Sequence, residues 1–227
     1  MRKPAEYRAR PHAYGALLLL ILVSLTFQLA APDHGWTRFV TTALQAGTLV
    51  LALWASQART WELRVGVVFA VAVVLAAGAT LIASGDLDRP IARITTLIMV
   101  ALAPPTIVLG VVRSLREDRE ITMRTMFGVL CVYLLVGMFF AFGYGFIDAV
   151  SSGPFFAQEP HATPSDYLYF SFASMTTVGY GDLTAHTDLG RSVAITEALI
   201  GQIYLVTIVA LIVSNMVPAR RSRGARK

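Results

Sequence analysis

Charge is scarce in this chain. Only 15% of its 227 residues are Asp, Glu, Lys or Arg, against about 25% in an ordinary soluble domain. Hydrophobic residues make up 56% and mean hydropathy is +0.62, a balance that excludes intrinsic disorder and argues against a soluble fold. Cysteine is nearly missing: Cys131 stands alone, which excludes a disulfide scaffold. No run of His, Cys, Asp and Glu has metal-ligand spacing, and no nucleophile lies near a base in a recognisable motif. Enzyme chemistry and a bound cofactor are therefore not expected. The formal charge of +5 and pI near 9.7 raise nucleic-acid binding as a question, which the positions of the charges decide.

Those charges fall in short clusters separated by six uncharged runs at 13–31, 39–58, 65–85, 94–112, 125–147 and 198–217. Each run has close to the roughly 20 residues that carry a helix across the hydrocarbon core, and a helix satisfies its own backbone groups in lipid. The expected fold is an all-α membrane protein with six transmembrane helices. With both tails placed inside, the inner segments hold 15 of the 19 basic residues, and nine of the 14 acids lie outside or at the outer ends of spans. This is the arrangement that the positive-inside rule demands. The basic excess is thus a topology code, and no nucleic-acid partner is expected. The first run also has features of a cleaved signal peptide. It reads instead as a retained span, being long for such a peptide and needed to keep both tails inside. The expected location is the cell membrane, multi-pass, with cytoplasmic termini. Residues 1–12 and 218–227 read as basic tails.

The one long connection, 148–191, is outside and rich in Gly, Pro and aromatics. Within it 167–178 is apolar enough to dip into the membrane. Thr163-Pro164-Ser165-Asp166 supplies a helix start: a hydroxyl cap, proline at the first helical position, and an acid three residues after the cap. A helix of about 11 residues follows, roughly 16 Å long, or half a membrane. Entering from outside, it ends near mid-bilayer with its carbonyl dipoles directed inward, where they favour a cation. Immediately after it stand Thr176-Thr177-Val178-Gly179-Tyr180-Gly181-Asp182.

This motif, between two spans and behind a half-helix, resembles the selectivity filter of tetrameric potassium channels, in particular prokaryotic six-span members that lack an Arg-rich sensor helix. The resemblance covers 163–217 well and the fifth span more loosely. It implies a potassium-selective channel conducting passively through a central homotetrameric pore, with K+ as the permeant ion. The ion-binding carbonyls would be those of Thr177, Val178, Gly179 and Tyr180, replacing the ion's hydration water. The glycines suit the backbone conformations this needs, because they lack Cβ. Thr176, Gly181 and Asp182 would support the filter, with Val178 and Tyr180 packed outward against the pore helix. Asp182 would sit at the outer mouth and accept a hydrogen bond from Tyr169 or Tyr167. Glu197, near the outer end of the sixth span, is an ionisable residue that is functional by default or else braces the pore helix. Gly201 is placed like the family's gating hinge, and close packing is an equal reading. Thr207, Ile208, Leu211 and Ser214 share the spacing of a cavity lining.

The sequence departs from the family pattern at two places. Some relatives carry a Glu four residues before the filter threonine, where this chain has Ala173, and a pore-helix Trp is replaced by Tyr169. A second Gly-Tyr-Gly, at 143–145, lacks the preceding Thr-Thr-Val and the following Asp. With Gly137, Ala141 and Gly145 at small-xxx-small spacing, it reads as a helix-packing face. Residues 13–112 read as a four-helix, voltage-sensor-like domain without gating charges, 113–124 as a linker and 125–217 as the pore domain. The fourth span has Arg89 and Arg93 at one end and Arg113 and Arg116 at the other, with Pro104-Pro105 expected to interrupt its helix. Weak or absent voltage gating follows, since each gating charge contributes about 2.3 kcal/mol per 100 mV. His34, His161 and His186 fall outside, as exposed loop residues or as groups tuning the mouth. The inner basic segments either contact anionic lipid or only enforce topology. Competing functions are a secondary transporter, which would show repeats or buried charges in several spans, and a non-conducting or regulatory subunit, which would need no filter.

Overall fold

The computed structural model describes residues 13–56, 58–84, 98, 100–109 and 123–216. The described residues form seven helices: α1 (Ala13–Ala30), α2 (Gly35–Ala55), α3 (Thr60–Ser84), α4 (Val100–Leu109), α5 (Met123–Val150), α6 (Pro164–Met175) and α7 (Asp188–Met216). Five of them, α1, α2, α3, α5 and α7, contain stretches long and apolar enough to cross a membrane. The protein is therefore an all-α, multi-pass membrane protein. The fourth expected span is described only from 98 to 109, and its helix from Val100 to Leu109 is too short to cross by itself. Arg89, Arg93, Arg113 and Arg116, both tails and most of the 113–124 linker lie outside the described residues.

Several helices overrun the apolar runs from which they were inferred. Helix α7 starts ten residues before its run, because Arg191 and Glu197 end the uncharged stretch without ending the helix. Gly190 N–H donates to Thr187 Oγ1 at 3.1 Å, so a threonine caps the true start. Helix α5 likewise takes in Met123 and Arg124, which the charge pattern had assigned to the linker. Pro104 and Pro105 do not interrupt their helix: residues 100–109 are helical throughout. Proline's fixed φ suits a helix, and the cost lies in the lost N–H donors. Neighbouring helices, side chains and water can satisfy the carbonyls that such prolines leave open in membrane helices.

Helices α1, α2 and α3 form an up-down series with short turns. Bidentate pairing of Arg38 with Asp33, at 2.8 Å for both contacts, ties the α1–α2 turn. Arg59 N–H donates to Glu62 Oε2 at 2.7 Å and closes the start of α3. Within the α1–α2 interface, Gln28 and Gln45 both reach Ser24 Oγ, at 3.0 and 3.3 Å. In a membrane, such polar contacts hold helices together where hydrophobicity gives no preference for protein over lipid. A Cβ on Gly66 would collide with Leu53 Cδ1, so the glycine lets α3 approach α2. Trp36 and Trp54, both exposed, stand at opposite ends of α2, about 27 Å apart along the axis. That separation matches two interfacial aromatic belts.

Helix α1 also packs directly on α5 and α6, which in turn pack on each other and on α7. Its buried residues Tyr14, Leu17, Ile21, Ser24 and Gln28 recur every three or four positions, the spacing of a single helix face. Near one end of this contact, Cys131 Sγ lies 3.8 Å from the Tyr14 carbonyl oxygen.

Candidate functional site

The site is built on α6. Its first turn is closed by Asp166 Oδ2, which accepts the Thr163 backbone N–H at 2.7 Å and the Thr163 hydroxyl at 2.8 Å. Pro164 occupies the first helical position, where its missing N–H costs nothing. The helix ends after 12 residues at Met175, with Thr176 as its C-cap.

Beyond Thr176 the backbone changes hand repeatedly. Thr177, Gly179 and Gly181 have φ of 60°, 53° and 81°, and among the described residues these are the positions with positive φ. Glycine adopts this conformation freely. Threonine does not, and its occurrence there is a strained feature that residue types alone do not disclose. The turn is held from behind: Thr177 N–H donates to Ser174 O at 3.0 Å, and Gly179 N–H to Ala173 O at 3.1 Å. Ala173 thus holds the loop through its carbonyl, at the position where the sequence lacks a carboxylate. All residues from Thr176 to Asp182 are exposed in the single chain, Val178 by 53% and Tyr180 by 73%.

Tyr169 reaches Asp182. Its hydroxyl donates to Asp182 Oδ2 at 2.8 Å, and its ring stacks on Tyr180 with centroids 6.1 Å apart and planes within 8°. The carboxylate acceptor, followed by desolvation and the neighbouring charges of Asp182 and Tyr180, pushes the Tyr169 hydroxyl up to about 12. Tyr167, the other candidate, is turned away and buried against Phe156.

An aromatic cluster unseen in the sequence locks the end of α5 to the start of α6. Phe155 and Phe156 are buried against Tyr144, Tyr167 and Phe170, with ring centroids 4.9–6.0 Å apart. Such pairs are each worth roughly 0.5–1.5 kcal/mol beyond their burial. The segment after the motif is fastened to the same loop: His186 N–H donates to Phe155 O at 2.8 Å and Ala157 N–H to Thr184 O at 3.0 Å. Gln158 adds a side-chain clamp on Thr184 through Nε2 to Oγ1, at 2.8 Å. These contacts tie the chain leaving the motif to the chain leaving α5. The signal for them was the Phe-Phe pair in an otherwise polar loop.

Glu197 is fully buried, at 0% exposure. Tyr144 Oη of α5 lies 2.5 Å from its Oε2, and Ser171 Oγ of α6 lies 2.5 Å from its Oε1. Ser171 Oγ also lies 2.7 Å from the Gly137 carbonyl of α5. One carboxyl therefore joins three helices. Lower down, Tyr204 Oη of α7 donates to Val129 O of α5 at 2.6 Å and stacks on Tyr133. A Cβ on Gly201 would lie 2.5 Å from Met175 Cγ and 2.8 Å from the Met175 carbonyl oxygen, so α7 crosses the end of α6 in direct contact at this glycine. Gly137 meets Met175 and Phe172 in the same way, at 2.9 Å. The second Gly-Tyr-Gly lies inside continuous helix α5. Thr207 is exposed on α7 and Ile208 is half-buried; the side chains of Leu211 and Ser214 lie outside the described residues.

A family model of ion channels matches residues 128–217, which runs from within α5 to one residue past α7 and includes α6 and the motif. This C-terminal segment is therefore similar to an ion-channel domain, and α1 to α4 fall outside the match. No curated protein and no solved structure matches the chain.

Proposed function

We propose that this protein is a potassium-selective channel that conducts passively through a central pore made by four copies of the chain. One observation carries the reading: a half-membrane helix whose C-terminus hands over to Thr-Thr-Val-Gly-Tyr-Gly-Asp with positive φ at Thr177, Gly179 and Gly181. In an ordinary strand successive carbonyls point to opposite sides. Positive φ at every second residue can turn successive peptide planes the same way, which would set the carbonyls of Thr177, Val178, Gly179 and Tyr180 in one row. Four such rows around an axis give stacked oxygen rings that replace the hydration shell of K+. The α6 dipole, ending at Met175, adds partial negative charge beneath the lowest ring.

Two further features support four copies. The motif is exposed in the single chain, and a filter residue pair such as Val178 and Tyr180 needs neighbours to hold its spacing. Helix α7 exposes Gln202 and Thr207 alongside Ile195, Leu199, Ile203 and Val206. A glutamine facing lipid is costly, whereas one facing a neighbouring subunit or a water-filled cavity is not. In this arrangement Thr176, Gly181, Asp182, Tyr169 and Glu197 support the filter, and Gly201 is the hinge candidate of α7. The absence of charge between Ile94 and Val112 supports weak voltage dependence.

The test is cation flux into liposomes containing the purified chain. Rubidium or thallium uptake well above sodium uptake is expected. Equal sodium and potassium flux overturns the selectivity, and no flux favours a non-conducting subunit. Gly179→Ala is the matched control. Space is open around this position, but alanine at φ 53° costs about 1–2 kcal/mol in each copy, so selective flux should fall more than about tenfold while helix content is unchanged.

A further inference from the structure

The contacts of Glu197 contain one hydrogen too few if its carboxyl is ionised. Ser171 has a single hydroxyl proton but two oxygens within hydrogen-bond distance: Gly137 O at 2.7 Å and Glu197 Oε1 at 2.5 Å. The Gly137 carbonyl can only accept. If the Ser171 proton points to Glu197, two bare oxygens face each other across the 2.7 Å contact. If it points to Gly137, the 2.5 Å contact needs a proton from the other side. A proton on Glu197 Oε1 satisfies every contact at once. Tyr144 then donates to Oε2, Glu197 donates to Ser171, and Ser171 donates to Gly137.

We propose that Glu197 is a positioning residue of the pore that works as a neutral acid, completing a one-way hydrogen-bond chain from Tyr144 through Ser171 to Gly137 that locks α5, α6 and α7 together. The proposal rests on the reading of α6 as the pore helix that carries the filter. Ser171 lies two residues before Ala173 and three before Ser174, whose carbonyls hold the backbone of Gly179 and Thr177. The acid therefore acts on the filter through α6 and touches no permeant ion. Loss of the Glu197 proton turns the Ser171 hydroxyl toward the carboxylate, breaks the link to Gly137, and lets α6 move against α5. Conduction then falls as pH rises.

Among the described residues, the groups facing Glu197 are few. Tyr144 of α5 and Ser171 of α6 touch it, and Tyr133 of α5 lies within electrostatic reach. On its own helix the nearest outer charges, Arg191 and Asp188, approach each other at 3.8 Å.

The experiment compares wild type with Glu197→Gln and Glu197→Ala in liposomes across acid to alkaline pH. Glutamine reproduces the chain without a titratable proton, since its amide N–H donates to Ser171 and its carbonyl accepts from Tyr144. Expected results are wild-type flux that declines on the alkaline side, E197Q flux like wild type at neutral pH with a flat profile, and E197A flux lower by about tenfold or more at every pH. In parallel, infrared difference spectra of wild type minus E197Q should show the carbonyl stretch of a protonated carboxylic acid at neutral pH. Absence of that band, an E197Q as impaired as E197A, or an alkaline decline that persists in E197Q overturns the proposal. The infrared band and the order of thermal stability, wild type equal to E197Q and above E197A, need no ion flux. They therefore separate failure of this inference from failure of the channel reading.

Discussion

Tyr169 and Asp182 show how one side-chain pair joins a helix to a loop. The phenol donates to a carboxylate in an exposed setting, and the acceptor raises the hydroxyl from 10.0 to about 12. The folded state thus holds this proton more tightly than the unfolded chain. The stabilisation is fully present below 10 and is lost as pH climbs through about 12. Tyr169→Phe should lower thermal stability and shorten conducting episodes at neutral pH. Its difference from wild type should stay constant up to pH 10 and vanish above about 12; a difference that grows with alkalinity contradicts this. Choosing between Tyr169 and Tyr167 needed the helix phase, because both lie on α6 and both carry a hydroxyl. Tyr167 instead stacks on Phe156, a residue 11 positions earlier whose burial nothing local announces.

At the scale of elements, the decisive contacts are those where two backbones nearly touch. Helix α7 meets the end of α6 at Gly201, where a Cβ would fall 2.8 Å from a backbone oxygen. A side chain such as Met175 can turn aside, but a carbonyl that ends a helix cannot. Overpacking of this kind costs typically about 1–3 kcal/mol, so Gly201→Ala should lower the melting temperature of the purified protein. A variant with unchanged melting temperature but lost opening would assign the glycine to hinge motion instead. The same logic explains why the Gly-Tyr-Gly at 143–145 stays helical while the one at 179–181 does not. The first is preceded by uninterrupted helix-forming apolar sequence in which the backbone bonds to itself. The second follows a capped half-helix whose last carbonyls, at Ala173 and Ser174, accept N–H groups from the turn.

For the molecule as a whole, α5, α6 and α7 form a unit braced by Glu197, by Tyr204 and by the aromatic cluster around Phe155, and α1 is packed directly onto it. This direct seat of α1 on α5 and α6 places an N-terminal helix in contact with the motif-bearing unit without passing through the 113–124 linker. In the proposed channel the exposed Gln202 and Thr207 on α7, and the exposed motif itself, would face other copies of the chain or a water-filled pore. The protein purified in mild detergent should have a protein mass about four times the 24.6 kDa of one chain, measured by light scattering with detergent subtracted. A monomer or dimer mass in a preparation that passes rubidium would refute the four-copy pore.

The amino-acid sequence alone determined the membrane environment, the approximate place of five apolar spans, and the start of the half-helix. These rest on local chemistry: uncharged length, a threonine cap, a proline at the first helical turn. It also marked the Thr176–Asp182 stretch, because glycines alternating with larger residues are needed where a backbone changes hand. Helix ends were less legible, since α7 starts ten residues before its apolar stretch and Pro104-Pro105 leaves its helix continuous. Only the tertiary structure decided what lies behind the motif. Glu197 was visible as an unusual acid, but its partners Tyr144 and Ser171 are 53 and 26 residues away. Likewise Phe155 meets His186, and Gly201 meets Met175, through contacts between distant segments. Hydrogen bonds and close backbone approaches act at fixed distances in space, and only the packing of α5, α6 and α7 brings those groups within that range.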